Sequence, residues 1–288
     1  MFIDRLAKQL GLSSADKAKI IHRAPSFASV LRCKTAEPNM VLLREELGLS
    51  SQQLARIVVS QPTLLSMHAE QTMEPKLAWL RGRLGTSEEQ TRKMMIALPR
   101  ILGFSVGGNL EPTLSFLETR LQLSPDQLRA FVLRHPPMLG ANTEGMAERL
   151  EFVQRRFELT DDELLQFLHR VPAVLMMHVA NNLEPKIAFF EDVLGKEVAA
   201  SWIVHGYPTA LLCGLPRLSA RTALLEALKV TPNTSLMALM CAKTDERFFG
   251  ALCKRFVGGV GGGSEEEFER QLSSWLNERD REPESSVD

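Results

Sequence analysis

The sequence predicts an all-α protein built as a helical-repeat solenoid, and three periodic landmarks predict it. A Glu-Pro dipeptide recurs at Glu37-Pro38, Glu74-Pro75 and Glu111-Pro112, and the tetrapeptide NLEP at 109–112 returns unchanged at 182–185. A second landmark is the proline at Pro25, Pro62, Pro99, Pro136, Pro172 and Pro208, in steps of 37, 37, 37, 36 and 36 residues, followed in most copies by an apolar run. A third is LGLS at 10–13 and 47–50, which returns as LGTS at 84–87, LQLS at 121–124 and FELT at 157–160. Independent markers on one period of this length are the signature of an array in which each unit packs on its neighbours.

Each element of the repeat follows in order. After Glu-Pro come apolar residues at i, i+3 and i+7: Leu77, Leu80, Leu84; Leu114, Leu117, Leu121; Leu150, Val153, Phe157; and Ile187, Phe190, Leu194. That spacing is one stripe of a helix, and the proline is expected in its opening turn, where a missing N–H costs nothing. Ser50-x-x-Gln53, Ser87-x-x-Gln90, Ser124-x-x-Gln127 and Thr160-x-x-Glu163 then read as capping boxes that start a second helix. Its buried face is expected at Leu54, Ile57 and Val58, at Leu128, Phe131 and Val132, and at Leu164, Phe167 and Leu168. The landmark proline ends this helix by excluding its predecessor from the helical region, and the apolar connector after it is expected to form a further helical turn. Two copies are worn. The fourth Glu-Pro reads as Glu148-Arg149, and the repeat after Leu194 lacks its Ser/Thr cap.

Residues 1–256 are therefore expected to form one array of about six to seven units, followed by a Gly-rich linker at 257–264 and an acidic tail at 265–288. The tail offers one amphipathic helix through Phe268, Leu272, Trp275 and Leu276. No apolar run approaches the roughly 18 to 20 residues that cross a bilayer. The four cysteines, Cys33, Cys213, Cys241 and Cys253, have no paired short spacing, so neither a zinc site nor a disulfide framework is expected, and a reducing compartment is. The start, MFIDRLAKQLGLSS, is neither an apolar signal nor an Arg/Ser-rich transit peptide; it falls in mid-repeat, so it says little about location.

Catalytic signatures are lacking. There is no HExxH, Gly-x-Ser-x-Gly or P-loop pattern, and GGVGGG at 258–263 follows no strand, so no enzyme, metal or cofactor is expected. His22, His169 and His205 share the position three before the landmark proline, and His68 and His178 share another. Because Val59, Ile96 and Leu133 occupy the first of these positions in other repeats, the histidines read as partly buried helix-end residues.

The net charge of −1 hides an uneven distribution. Residues 257–288 hold nine acids and three arginines, which leaves the array 31 basic and 26 acidic residues and a net of +5. Six and two residues before each landmark proline stand Lys19/Arg23, Arg56/Ser60, Lys93/Ala97, Ala130/Arg134, Gln166/Arg170 and Trp202/Gly206. Positions four apart share a helix face, and six of these twelve are cations while none is an acid. Aligned by the repeat, they would form the basic footprint that phosphates require, with Arg92, Arg129 and Arg100 close by. The competing explanation, cations answering the dipole of their own helix C-terminus, covers the positions two before the proline better than it covers Lys19, Arg56 and Lys93. Arg83, Arg120 and Arg156 recur just before the inter-helix turn, where a solvated, dipole-satisfying role is expected. Tyr207 is the single tyrosine, so stacking platforms for single strands are inconspicuous and duplex is favoured.

A helix ending in P-x-[LIV]-L, then [NT]-[LM]-E-P, a helix, L-G-[LT]-S and a second helix resembles the mitochondrial transcription termination factor (mTERF) family. The likeness covers nearly all of 1–256 and extends to TDERFFGALCKRF at 244–256, which is similar to the segment closing many members. The resemblance implies a curved stack of three-helix units whose groove binds nucleic acid in mitochondria or chloroplasts and regulates transcription, termination included, or RNA processing or translation. It implies nucleic acid as the partner; together with the scarcity of aromatics and the absence of a spanning apolar run, the expectation is duplex DNA in preference to RNA, transcription or processing proteins beside it, no membrane, and a monomer. The alternatives are a helical-repeat protein–protein scaffold and an organellar RNA-binding processing or splicing factor; the steep salt dependence of phosphate binding separates the first of these.

Overall fold

The computed structural model describes residues 2–25, 35–242, 244–258 and 263–279, and no strand occurs among the described residues. Cys33, most of the glycine run and the end of the acidic tail lie outside them. In chain order the helices are α1 (Phe2–Leu10), α2 (Ser14–Arg23), α3 (Ala36–Leu47), α4 (Ser51–Ser60), α5 (Glu74–Leu84), α6 (Glu88–Ala97), α7 (Glu111–Arg120), α8 (Pro125–Arg134), α9 (Thr143–Arg156), α10 (Asp161–Arg170), α11 (Glu184–Leu194), α12 (Lys196–Ser201), α13 (Leu215–Ala227), α14 (Thr234–Ala242), α15 (Asp245–Gly258) and α16 (Glu265–Arg279). The chain divides into two compact units, 1–150 and 151–288, with the division inside α9. Up to α12, odd-numbered helices are the first and even-numbered ones the second of each repeat.

The local signals work as their chemistry requires. Ser50, Ser87, Ser124 and Thr160 each accept the N–H of the residue three on, and that residue's side chain accepts theirs in return. Ser13 and Asp16 add a fifth box that the sequence pattern of Gln or Glu passes over. The landmark prolines open short 3-10 turns at Pro62–Ser66, Pro99–Gly103, Pro136–Gly140, Pro172–Met176 and Pro208–Leu212. The stripes named above form the core of each unit: Leu54, Leu80, Leu114, Val132, Leu150, Leu168 and Phe190 are all 0% exposed.

At the turn between first and second helices, the backbone enters the left-handed region in five successive repeats, beginning with Gly11 at φ 65°. Gly48 and Gly85 do so with φ of 57° and 60°, but Gln122 and Glu158 occupy the equivalent places at 49° and 54°. A side chain is disfavoured there and glycine is not. Glu158→Gly is therefore expected to stabilise the protein by about 0.5–1 kcal/mol, read as a raised urea midpoint; a lowered midpoint would show that the Glu158 side chain contributes more than its backbone costs.

The Glu-Pro proline stands in the opening turn of α5, α7 and α11, as expected. The helical backbone, however, extends back beyond it. A wide turn with i→i+5 hydrogen bonding precedes α5, α7 and α11, at Ala69–Met73, Val106–Leu110 and Val179–Leu183. The amides of Glu74, Glu111 and Glu184 donate to Ala69, Val106 and Val179. A proline within a helix lacks its own N–H and drives its ring toward the carbonyl four residues back; opening the preceding turn by one residue relieves that conflict. Helix α9 has no such turn and runs unbroken from Thr143.

The burial register also corrects the reading of this repeat. Met73, Leu110, Met146 and Leu183 are all 0% exposed, and each stands four residues before the first member of its apolar stripe. Ala147-Glu148, not Glu148-Arg149, therefore occupies the Glu-Pro place. The missing residue that shortens the step from Pro136 to Pro172 is the extra residue of the wide turn. The other 36-residue step loses its residue near Gly195, where α12 starts without a side-chain cap.

Polar side chains tie each repeat to the next, and these ties were not foreseen. In three repeats the residue after the Glu-Pro dipeptide is buried and reaches the proline-led turn of the following repeat. Asn39 donates to the carbonyls of Leu64 at 2.7 Å and Met67 at 2.8 Å, Lys76 donates to Leu102, and Lys186 donates to Leu211 at 2.8 Å. Short 3-10 turns leave carbonyls without helical partners, so a long cationic donor is one answer to a buried acceptor. Burial lowers the pKa of the Lys76 and Lys186 ammonium groups, and unfolding restores it. Between the lowered value and the ~10.4 of an exposed lysine, the unfolded chain binds more protons, so this contribution to stability rises with pH. The wild type is expected to gain on Lys76→Met as the pH is raised toward that limit, seen as a widening gap between urea midpoints; a constant gap would contradict it.

Arg83 and Arg156 are likewise not solvated. Arg83 is held by Glu111 at 3.0 Å and Glu118 at 2.6 Å, and Arg156 by Glu184 at 3.6 Å and Glu191 at 2.7 Å, with the arginine side chains only 23% and 20% exposed. Glu111 and Glu184 are the acids of the two NLEP copies, so the repeated tetrapeptide carries an inter-repeat ion pair as well as its proline. One repeat earlier the charges are exchanged: Arg81 on α5 pairs with Glu46 on α3 at 3.1 Å, at the positions that Glu118 and Arg83 occupy next.

At the C-terminal end, Arg221 of α13 is 1% exposed. Its guanidinium binds Asp245 at 2.5 and 3.1 Å, donates to the Met240 carbonyl, and lies 4.4 Å from the ring centre of Phe248. Helix α16 packs on α13 and α15 through Phe268 and Trp275, which are nearly buried; Trp275 meets Phe249 edge-on, and Phe268 lies 5.9 Å from Phe256 between ring centres.

Candidate nucleic-acid interface

The second helices determine which side chains can meet a ligand. Each packs its largely apolar stripe inward, so the positions six and two before the landmark proline turn outward. Of the twelve, Lys19, Arg23, Arg56, Ser60, Lys93, Ala97, Ala130, Arg134, Gln166, Arg170 and Gly206 are exposed, and Trp202 is half-buried. Within residues 1–150, Lys19, Arg23 and Arg56 line one open cleft of about 410 Å³ between α2 and α4, together with Asp16, Gln52 and Ser60. Asp16 is engaged by Ser13, whose hydrogen bonds hold its carboxyl below the usual range.

The cations differ in their freedom. Among the described residues no acid forms a salt bridge with Lys19 or Arg56, although the Lys19 charge acts on Asp16 one turn away. Lys93 pairs with Glu89 of its own helix at 2.9 Å, but both side chains are more than half exposed, so the pair is weak and open to exchange. Arg23 and Arg170 have structural duties. Arg23 donates to the Val59 carbonyl at 2.7 Å, and Arg170 donates to Val204, His205 and Gly206 at 3.2, 2.8 and 2.6 Å. Each thus caps the C-terminal end of the next repeat's second helix rather than its own, where carbonyls lack partners and the dipole favours a cation. Arg134 is exposed on the same face.

The neighbouring arginines lie to one side of this series. Arg129 donates to the Gly85 carbonyl at 3.4 Å and to Asp126 at 2.6 Å. A Cβ added to Gly48 would lie 3.2 Å from Arg92 Nη1, so Arg92 covers the corresponding turn one repeat earlier. Arg100 rests 5.3 Å from the ring centre of Phe104. In the sixth repeat an aromatic replaces the cation: Trp202 stacks on Tyr207 at 5.8 Å and 15°.

The histidines are more open than the apolar equivalents imply. His22, His205, His68 and His178 are exposed, and only His169 of the five is half-buried; a helix-end ring beside a solvent-facing turn has no neighbour to cover it. Among the described residues no three His, Cys, Asp or Glu side chains cluster as metal ligands, and no helix is long and apolar enough to cross a membrane. The structural roles of Lys76, Lys186, Arg23 and Arg170 were missed by sequence reasoning; the only signal was the recurrence of Lys after Glu-Pro at 76 and 186.

One family model, described as mTERF, matches residues 5–249. None of the curated proteins compared with the chain matches it.

Proposed function

The chain belongs to the mTERF family, and from that premise we propose that it is a nucleic-acid-binding regulator of organellar gene expression, in the mitochondrion or chloroplast, that acts on duplex DNA without catalysis. The observation that carries the reading is the second-helix face, where six of twelve repeat-equivalent positions are exposed cations and none is an acid. Lys19, Arg56, Lys93 and Arg134 supply phosphate contacts, which set affinity and register. Arg23 and Arg170 present the outer edges of guanidinium groups already held by the backbone, which fixes their orientation before a ligand arrives. Arg92, Arg129 and Arg100 flank the path.

Fluorescence anisotropy of the full chain with mixed-sequence duplex DNA, single-stranded DNA and RNA at two salt concentrations tests it. Binding that is tightest to duplex and weakens steeply with salt is the expected result. Tighter binding to RNA would move the site of action to transcripts, and no binding at low salt by a folded protein would overturn the reading in favour of a protein-binding scaffold.

A further inference from the structure

Cys213 and Cys241 are 27 residues of intervening chain apart, yet the fold joins them. Cys213 ends the proline-led turn Pro208–Leu212, and Cys241 stands near the end of α14. The Cys213 Sγ lies 3.4 Å from the Cys241 carbonyl oxygen and 3.8 Å from Arg217 Nη2, and both thiols are free and nearly buried at 5% and 8% exposure. Lys186, whose ammonium is fixed on the Leu211 carbonyl at 2.8 Å, adds a second positive charge nearby. The neighbouring Cys241 thiol, with the Arg217 guanidinium beside it, lowers the Cys213 pKa to about 6, and the same neighbourhood together with burial pushes that of Cys241 up.

We propose that Cys213 and Cys241 form a hydroperoxide-sensitive dithiol, Cys213 the attacking sulfur and Cys241 the resolving one, that closes to an intrachain disulfide. Two cations beside the pair oppose a bound metal ion and favour a thiolate, and a thiolate with an adjacent thiol is the arrangement that oxidises reversibly. In the first step the Cys213 thiolate attacks the distal oxygen of the hydroperoxide. The O–O bond breaks, and the departing alkoxide or hydroxide takes a proton from water, which leaves a sulfenic acid on Cys213. In the second step the Cys241 sulfur attacks Cys213; its thiol proton leaves with the sulfenic hydroxyl as water. The two thiols lose two electrons, and the hydroperoxide is reduced to an alcohol or water. The new bond fastens the sixth proline-led turn to α14 one residue beyond Met240, whose carbonyl Arg221 already holds.

The test exposes the full chain to hydrogen peroxide at neutral pH and maps its cysteines by non-reducing peptide mass spectrometry. The expected product is a Cys213–Cys241 linked peptide, reversed by dithiothreitol, with a thermal midpoint raised by several degrees because a cross-link restricts the unfolded chain. Cys241→Ser should stop at a dimedone-trappable sulfenic acid on Cys213, and the pH profile of the reaction, centred near 6 in the wild type, should move upward in Arg217→Gln. Oxidation confined to Cys33 or Cys253, or Cys213 carried to sulfinic acid while Cys241 stays reduced, overturns the proposal. The wild-type map alone decides this, whatever the folding of the variants.

Discussion

Replacing Asp245 by alanine is expected to remove about 3 kcal/mol of stability, because it strands a cation rather than merely deleting a contact. Arg221 is 1% exposed and would lose both of its hydrogen bonds to the Asp245 carboxylate. A guanidinium does not deprotonate to escape such a site. The opposite substitution, Arg221→Met, should cost less, since the Asp245 side chain is 41% exposed and water can solvate it when its partner is gone. The order of the two losses is the informative quantity, read from urea midpoints followed by circular dichroism. Equal losses, or a smaller one for Asp245→Ala, would mean that the carboxylate does not neutralise Arg221. The effect should also reach α16, which packs on both α13 and α15, and appear as greater solvent quenching of Trp275.

In the binding experiment, reversing three charges as Arg56→Glu/Lys93→Glu/Arg134→Glu is expected to weaken duplex binding at least about 100-fold at low salt and to reduce the slope of log affinity against log salt by roughly 2.7. The slope is the sharper readout, because each phosphate released removes about 0.9 from it on duplex DNA, whereas a folding defect changes affinity without a defined slope. The single variants separate two kinds of cation. Arg56→Gln should lower the slope with little effect on stability, since no acid among the described residues holds Arg56. Arg170→Gln should lower stability first, because three carbonyls lose their donor. An unchanged slope in the triple variant would place the phosphates on another face.

The parts of the fold legible in the sequence are those whose chemistry is local. Ser87 and Gln90 serve each other within one turn, and Pro99 ends its helix through its own ring; neither needs a distant partner. The outward direction of Lys19, Arg56 and Lys93 was readable for the same reason, as the complement of a buried stripe. What escaped depends on the neighbouring repeat. Nothing within a single helix tells that Lys76 ends on Leu102, that Arg83 ends on Glu111 and Glu118, or that Arg170 caps a turn 36 residues further on. The wide turn before Glu-Pro escaped because it adds a single residue, which the eye absorbs as a slightly longer period. The histidines misled because their apolar equivalents describe repeats flanked by different neighbours.

That single residue makes the repeat tolerant of a one-codon lesion. Inserting or deleting one residue inside an ordinary helix rotates everything beyond it by about 100° and turns its surface face into its core. The wide turn confines the change to a five-residue segment, as the comparison of Val106–Leu110 with the unbroken start of α9 demonstrates. Met146 and Leu150 keep the places of Leu110 and Leu114, so the second helix that follows still offers its cations outward. At this turn a unit can drift between 36 and 37 residues without rotating its outward face into its core.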